Sequence, residues 1–130
     1  MMNYICVFIG GGLGAVCRYA LISVIGLRFS MHFPLWTLAV NAVSCFLMGF
    51  VMALLLPLAH RLHLVPEHLR LLISVGFLGG FSTLAAFSLE TFTLLRSGNY
   101  LLAGLNILAT VSVSLLTVVL GWQLAEVIHR

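Results

Sequence analysis

Four long apolar stretches make up most of this chain, and short polar segments separate them. The stretches cover about residues 4–26, 36–57, 69–95 and 100–127. A helix that crosses a bilayer takes about 20 apolar residues, so each stretch is long enough to span a membrane. The polar segments carry turn-forming residues, such as Pro34 before the second stretch and Gly98 before the fourth. The pattern predicts an all-α integral membrane protein with four transmembrane helices in a single domain, residues 1–130.

The composition excludes a soluble globular domain and points to a surface that faces lipid. Hydrophobic residues make up 62% of the 130 residues and charged residues 7%, against roughly 45–50% and about 25% in soluble domains. Such a chain is also too apolar to be disordered. The positive charges are six scattered arginines, which form no basic patch, so nucleic acid is not an expected partner.

The arginine distribution leaves the orientation in the membrane open. With four spans, both termini lie on the same side. The arginines on that side are Arg61, Arg70 and Arg130, and those assigned to the other side are Arg28, Arg96 and Arg18 if its side chain extends that way. Such an even count selects no orientation under the positive-inside rule. A chain that inserts both ways can assemble as an antiparallel pair, while other features could still orient it.

The third stretch is long enough to contain a break near its middle. Its 27 residues would measure about 40 Å as one helix, whereas the hydrocarbon core is roughly 30 Å thick. Glycines at 76, 79 and 80 precede Ser82 and Thr83. Unwound backbone there could offer carbonyls to a small cation and amide groups to an anion. The alternative is that these glycines only allow close helix packing.

Polar side chains recur along one face of the fourth stretch. Asn106, Thr110, Ser114, Thr117 and Gly121 follow one another at helical spacing. Such a stripe could pass a partly dehydrated ion along the span, or it could serve only helix-to-helix hydrogen bonds.

Away from the ends of the predicted spans, the sequence has two charged residues, Arg18 and Glu90, and one notable amide, Asn41. Arg18 is expected to snorkel, pair or face a water-filled vestibule. Glu90 could pair with Arg18 or with Arg96. The amide of Asn41 could bind an anion or join two helices.

Three motifs resemble those of the Fluc/CrcB family of bacterial fluoride channels. They are Gly-Gly-Leu-Gly-Ala-Val-Cys-Arg-Tyr at 11–19, Thr-Leu-Ala-Val-Asn at 37–41 and Gly-Phe-Leu-Gly-Gly-Phe-Ser-Thr at 76–83. The resemblance covers the whole chain. It implies a dual-topology, antiparallel homodimer in the bacterial plasma (inner) membrane, with a heterodimer as an alternative. The expected function is passive fluoride export through two pathways, without an organic cofactor or energy source.

The resemblance also implies roles for individual residues. Asn41 matches the pore asparagine of the family, Phe87 the second phenylalanine of its aromatic box, and Arg18 its first-helix arginine, which we expect in a vestibule. Gly79 and Ser82 match the residues whose backbone carbonyls hold a structural sodium ion at the dimer interface. The expected fluoride pathway consists of Asn41, Thr83, Leu84, Phe87, Ser88, Asn106, Thr110 and Ser114.

One segment departs from the family pattern. The usual Thr-Thr-Phe-Ser-Thr-Phe-Ser reads Ser-Thr-Leu-Ala-Ala-Phe-Ser at 82–88. Leu84 replaces the first box phenylalanine, and Ala85 and Ala86 remove two hydroxyls. The departure concerns the conduction rate and the ion selectivity more than the fold.

Two other functions compete with the channel interpretation. A small proton-coupled multidrug exporter of the four-span, dual-topology type needs a carboxylate inside the membrane, and Glu90 is the candidate. A helper subunit of a larger complex needs no pathway at all. An enzyme is not expected, because no nucleophile, base and orienting group occur together.

Overall fold

The computed structural model describes residues 1–28, 34–60 and 65–129, and every regular element in these ranges is helical. The elements are α1 (Met2–Arg28), α2 (Leu35–His60), α3 (Glu67–Arg70), a π-helical segment (Leu71–Leu78), α4 (Gly79–Phe81), α5 (Leu84–Arg96) and α6 (Tyr100–His129). Segments Glu67–Arg70 to Leu84–Arg96 together form one span, called the third span below. Four helical segments are therefore long and apolar enough to cross a membrane. The predicted all-α, four-helix membrane architecture is confirmed.

The side chains of three arginines used to count charge, Arg28, Arg61 and Arg130, lie outside the described residues. The four spans begin and end within about three residues of the predicted stretches.

Proline and glycine mark the described helix boundaries. The carbonyl of Pro34 accepts the amide of Leu38 at 3.3 Å, and that of Pro66 accepts the amide of Arg70 at 3.2 Å. Proline suits these positions because a helix leaves its first amides unpaired. Gly98 ends the third span with a φ of 79°, a left-handed conformation that glycine adopts without steric cost. The chain therefore reverses direction within three residues.

Glycine brings the helices into two tightly packed pairs. A Cβ added to Gly14 of α1 would lie 2.1 Å from the Phe77 carbonyl oxygen in the third span. A Cβ on Gly121 of α6 would lie 2.1 Å from the Phe46 carbonyl oxygen of α2. Neither position has room for any side chain. Small residues thus allow direct backbone contact, as is common between helices in membranes.

The third span is broken near its middle, as predicted, but the glycines are not the unwound residues. Ser82 (φ −74°, ψ 157°) and Thr83 (φ −148°, ψ 107°) are both extended. Gly76 and Gly80 remain helical and contact α1, where a Cβ on Gly80 would lie 2.6 Å from the Gly11 carbonyl oxygen. The two alternatives weighed for this segment therefore coexist: glycines provide close packing, and the next two residues unwind.

Little of the apolar surface is buried within one chain. Large side chains such as Phe8 (82% exposed) and Leu101 (76% exposed) point outward from α1 and α6. Hydrocarbon or another protein surface must cover such side chains in the native setting. The interior instead contains several polar residues, including Thr37, Asn41 and Asn106. Of these three, Asn41 bonds to Thr83 in the break, whereas Thr37 and Asn106 bond to side chains of α5.

Candidate functional site

A groove of about 350 Å³ opens beside the break in the third span. Its lining comes from α2, the break, α5 and α6: Asn41, Cys45, Ser82, Thr83, Leu84, Phe87, Thr110, Val111, Ser114 and Leu115. Six of the eight residues expected along the pathway are thus brought together, from parts of the sequence up to 73 positions apart. Ser88 and Asn106 are not part of this lining.

The Asn41 side chain pairs with the backbone of Thr83 through two hydrogen bonds. The Thr83 amide donates to Asn41 Oδ1 at 3.1 Å, and Asn41 Nδ2 donates to the Thr83 carbonyl at 3.4 Å. Both residues are buried. An extended residue at membrane depth has lost its helical partners, and an unpaired backbone amide there is costly. Asn41 supplies the missing partner for Thr83.

Arg18 reaches the same break from α1. Its Nη1 donates to the carbonyl oxygen of Ser82 at 3.2 Å. Ser82 closes the first half of the third span, where carbonyls without helical partners give the helix end a partial negative charge. The guanidinium therefore lies where a positive charge is stabilising. Arg18 is the only described arginine in the middle of a span, and its partner Ser82 lines the groove.

The start of α5 presents hydrogen-bond donors beside the groove. Thr83 Oγ1 accepts the amide of Ala86 at 3.3 Å and so caps the helix. The hydroxyl proton of Thr83 remains available for donation. Helix geometry leaves the amides of Leu84 and Ala85 without intrahelical acceptors. A helix start with such amides favours a negative charge.

Asn106 lies inside the protein rather than in the groove. It is 1% exposed, and its Nδ2 donates to Thr91 Oγ1 at 3.0 Å. Thr91 in turn donates to the Phe87 carbonyl at 2.8 Å, and Thr110 donates to Asn106 Oδ1 at 3.4 Å. Asn106 therefore connects α6 to α5 one turn beyond Phe87.

The predicted polar stripe on α6 thus divides between two environments. Thr110 and Ser114 line the groove, whereas Gly121 is packed against α2. Thr117 donates to the Ser114 carbonyl at 3.0 Å, within its own helix. Ser88 of the expected pathway is exposed on α5. Hydrogen bonding between helices is thus found at Asn106, while Thr110 and Ser114 face the groove.

Glu90 pairs with neither of the arginines considered for it. Trp36 Nε1 donates to Glu90 Oε1 at 3.0 Å, and Thr37 Oγ1 donates to the same oxygen. Sequence reasoning did not single out Trp36 or Thr37 as partners. The spacing of the residues gave no signal, because Thr37 and Glu90 are 53 positions apart. Glu90 thereby joins the start of α2 to α5, outside the groove lining.

The break offers oxygen ligands to a small cation such as sodium. Gly79 is exposed, and a Cβ there would meet only the Ser74 carbonyl oxygen, at 3.8 Å. The Ser82 carbonyl has one donor, Arg18, and a carbonyl oxygen has two lone pairs. Carbonyl oxygens suit hard cations, so the donor set fits sodium. Two carbonyls are too few to complete the coordination of such an ion.

Comparison with known proteins shows that the sequence matches a described family. Residues 5–122 match the family model described as CrcB-like protein, Camphor Resistance (CrcB). A protein of Hydrogenobaculum sp. (strain Y04AAS1) is 40% identical over 92% of this chain and 94% of its own length. One from Pyrococcus abyssi (strain GE5 / Orsay) is 43% identical over 91% of each chain. One from Shewanella sp. (strain ANA-3) is 43% identical over 95% of this chain and 96% of its own. All three relatives are named fluoride-specific ion channel FluC.

Proposed function

This chain belongs to the CrcB family, and we propose that the groove beside its broken third span is the central part of a fluoride-selective pathway. The protein is a multi-pass membrane protein and a fluoride channel by family, not an enzyme. We place it in the plasma membrane of a prokaryote, where it releases fluoride passively from the cytoplasm.

The observation that carries this proposal is the set of neutral donors gathered in one groove. Fluoride is small and strongly hydrated, so a pathway must replace its water with closely spaced N–H and O–H groups. Asn41, Thr83 and Ser114 provide amide and hydroxyl donors along the groove, whereas the hydroxyl proton of Thr110, which also lines it, goes to Asn106. None of these groups carries a fixed charge. An ion can therefore be stabilised at each position without being trapped there.

The aromatic ring of Phe87 adds a different kind of contact. The ring edge carries a partial positive charge, and Phe87 lines the groove at the level of the break. Leu84 lies on the same wall and is 76% exposed. It contributes apolar surface without a polarised edge. The groove thus combines donors on α2 and α6 with one aromatic wall on α5.

A proton-coupled exporter fits this groove less well. Such a mechanism needs a carboxylate that meets both the proton and the cargo. Glu90 instead accepts hydrogen bonds from Trp36 and Thr37, and the groove lining contains no acidic residue. The uncharged donor set favours passive anion conduction.

Efflux from proteoliposomes tests the proposed function directly. Vesicles loaded with potassium fluoride and treated with valinomycin are expected to release fluoride rapidly, as followed with a fluoride electrode. Vesicles loaded with potassium chloride are expected to release their anion at least about a hundredfold more slowly. Protein-free vesicles provide the background. Equal release of the two anions would contradict a fluoride-selective pathway.

An antiparallel, dual-topology homodimer completes the proposal. The groove is open on one side, and large apolar side chains remain exposed along α1 and α6. A second copy in the opposite orientation would cover part of this surface and close the groove, while lipid covers the rest. The balanced arginine count permits both orientations. A heterodimer with a similar chain would satisfy the same geometry.

A structural sodium ion at the interface is the third element of the proposal. The carbonyls of Gly79 and Ser82 from two antiparallel copies would supply four oxygens, which bind the ion and join the chains. The ion has no part in conduction other than holding the two breaks together.

Sodium is therefore expected to stabilise the dimer. The thermal unfolding midpoint of purified dimer should be several degrees higher in sodium chloride than in choline chloride at equal ionic strength. Gly79→Ala should reduce that difference, because a methyl group would crowd the ion although the single chain has room for it. Gly12→Ala, also at an open position, is the control. Identical midpoints in both salts would contradict the sodium site.

A further inference from the structure

The break in the third span contains one residue, Thr83, whose backbone N–H and C=O are both hydrogen-bonded to a side chain of another helix. Its amide and its carbonyl both bond to the side chain of Asn41. No other described side-chain amide pairs twice with a single backbone residue, since Asn99 and Asn106 bond to hydroxyls. The arrangement resembles a short stretch of strand pairing within an all-helical protein.

We propose that Asn41 is the positioning residue of the break. Its side chain holds Thr83 in an extended conformation, and the same two hydrogen bonds orient the side-chain amide of Asn41 toward the groove. In a continuous helix the Thr83 amide would bond to the carbonyl of Gly79, four residues earlier. In the broken span, Asn41 Oδ1 takes that place. Without this acceptor the amide would lie unpaired at membrane depth or would draw the segment back into a helix.

The pairing also decides which edge of the Asn41 amide faces the groove. A side-chain amide can usually be turned by 180° with little change in shape. Here the Thr83 amide only donates and the Thr83 carbonyl only accepts, so the oxygen must face the former and the nitrogen the latter. The second hydrogen on Nδ2 is then directed away from Thr83. Because Asn41 lines the groove, an ion there meets an N–H donor and not a carbonyl oxygen.

This orientation bears on anion selectivity, and that part of the inference rests on the proposed function. A reversed amide would present a partial negative charge to the groove and repel fluoride. The fixed orientation costs no reorganisation when the ion arrives, because the backbone of Thr83 maintains it in advance. Thr83 supports the same edge of the groove with its own hydroxyl, whose oxygen is occupied by the Ala86 amide.

Hydrogen–deuterium exchange resolved to Thr83 tests the clamp without any transport assay. In purified dimer, the Thr83 amide of Asn41→Ala is expected to exchange at least about tenfold faster than in the unchanged protein. Asn41→Asp, nearly the same size, keeps an acceptor for the Thr83 amide but puts an oxygen where Nδ2 donates to the Thr83 carbonyl, so it is expected to retain only part of the protection. Asn106→Leu removes the other buried intramembrane amide and should leave Thr83 exchange unchanged, because Asn106 bonds to Thr91 and Thr110 instead.

Fluoride efflux from the same preparations tests whether Asn41 also orients a donor toward the groove or only stabilises the backbone of Thr83. Asn41→Ala should lose both Thr83 protection and at least about 90% of the flux. Asn41→Asp should keep part of the protection yet lose a similar share of the flux, because it presents oxygen to the groove. Unchanged Thr83 exchange in Asn41→Ala would overturn the clamp, and full flux in Asn41→Asp would overturn the orientation argument. If the unchanged protein shows the exchange pattern but no fluoride flux, the proposed function fails while the clamp stands.

Discussion

Replacing Phe87 with alanine is expected to slow fluoride efflux by roughly twofold to tenfold while leaving the protein folded. Phe87 lines the groove and is only partly buried, so its removal leaves the helix packing largely unchanged. An aromatic contact is worth roughly 0.5–1.5 kcal/mol, and a barrier raised by about 1.4 kcal/mol slows a step tenfold. Electrode-monitored efflux at equal protein per vesicle measures the effect.

Leu84→Phe is the matched change on the same wall of the groove. Leu84 is 76% exposed, so a larger ring has room, and the variant is expected to conduct at the same rate or faster. It would restore the residue that the resemblance expects at this position. Flux unaffected by Phe87→Ala would remove the aromatic wall from the proposed pathway, whatever Leu84→Phe does. A decrease on Leu84→Phe would instead mean that leucine is required at this position.

Gly121→Ala is expected to destabilise the protein strongly. The added Cβ would lie 2.1 Å from the Phe46 carbonyl oxygen and 3.0 Å from the Phe50 amide nitrogen. These are backbone atoms, so α2 and α6 would have to separate along their length. Overpacking typically costs about 1–3 kcal/mol, and a backbone collision should reach the upper end of that range. The thermal midpoint and the yield of folded protein in mild detergent measure the loss.

Gly104→Ala is the control in the same helix, because nothing lies within 4 Å of a Cβ at that position in the chain. It should match the unchanged protein in yield and midpoint. Gly49→Ala should behave like Gly121→Ala, since its Cβ would lie 2.1 Å from the Val118 carbonyl oxygen of the same helix pair. Normal stability of Gly121→Ala would contradict the direct backbone contact between α2 and α6.

The membrane class, the four spans and the break in the third could all be predicted from the sequence. These features follow from hydropathy and length, which act along the chain. The residues that unwind could not be identified in the same way. The glycines were the expected site of unwinding. Gly76 and Gly80 instead contact α1, and Ser82 and Thr83 are the residues that unwind. Whether a glycine in this span packs closely or unwinds depends on which helix lies next to it.

The candidate site, too, could be predicted from the sequence only in part. Asn41, Thr83, Phe87, Thr110 and Ser114 were expected along one pathway, and they line one groove. Asn106 was expected there as well, and its inward position depends on Thr91, whose hydroxyl it meets across the helix interface. Residues at the same helical spacing can therefore face an ion or a neighbouring helix, and the sequence pattern does not distinguish the two.

The sequence by itself determined that this protein lies in a membrane and crosses it four times, with few charged residues inside its spans. Only the tertiary structure decided which residues form hydrogen bonds between the helices. Asn41 holds Thr83, Arg18 contacts the Ser82 carbonyl, and Glu90 bonds to Trp36 and Thr37. Hydropathy and length are properties of each segment alone. A hydrogen bond between helices depends on their packing and rotation, which the backbone contacts at the glycines set.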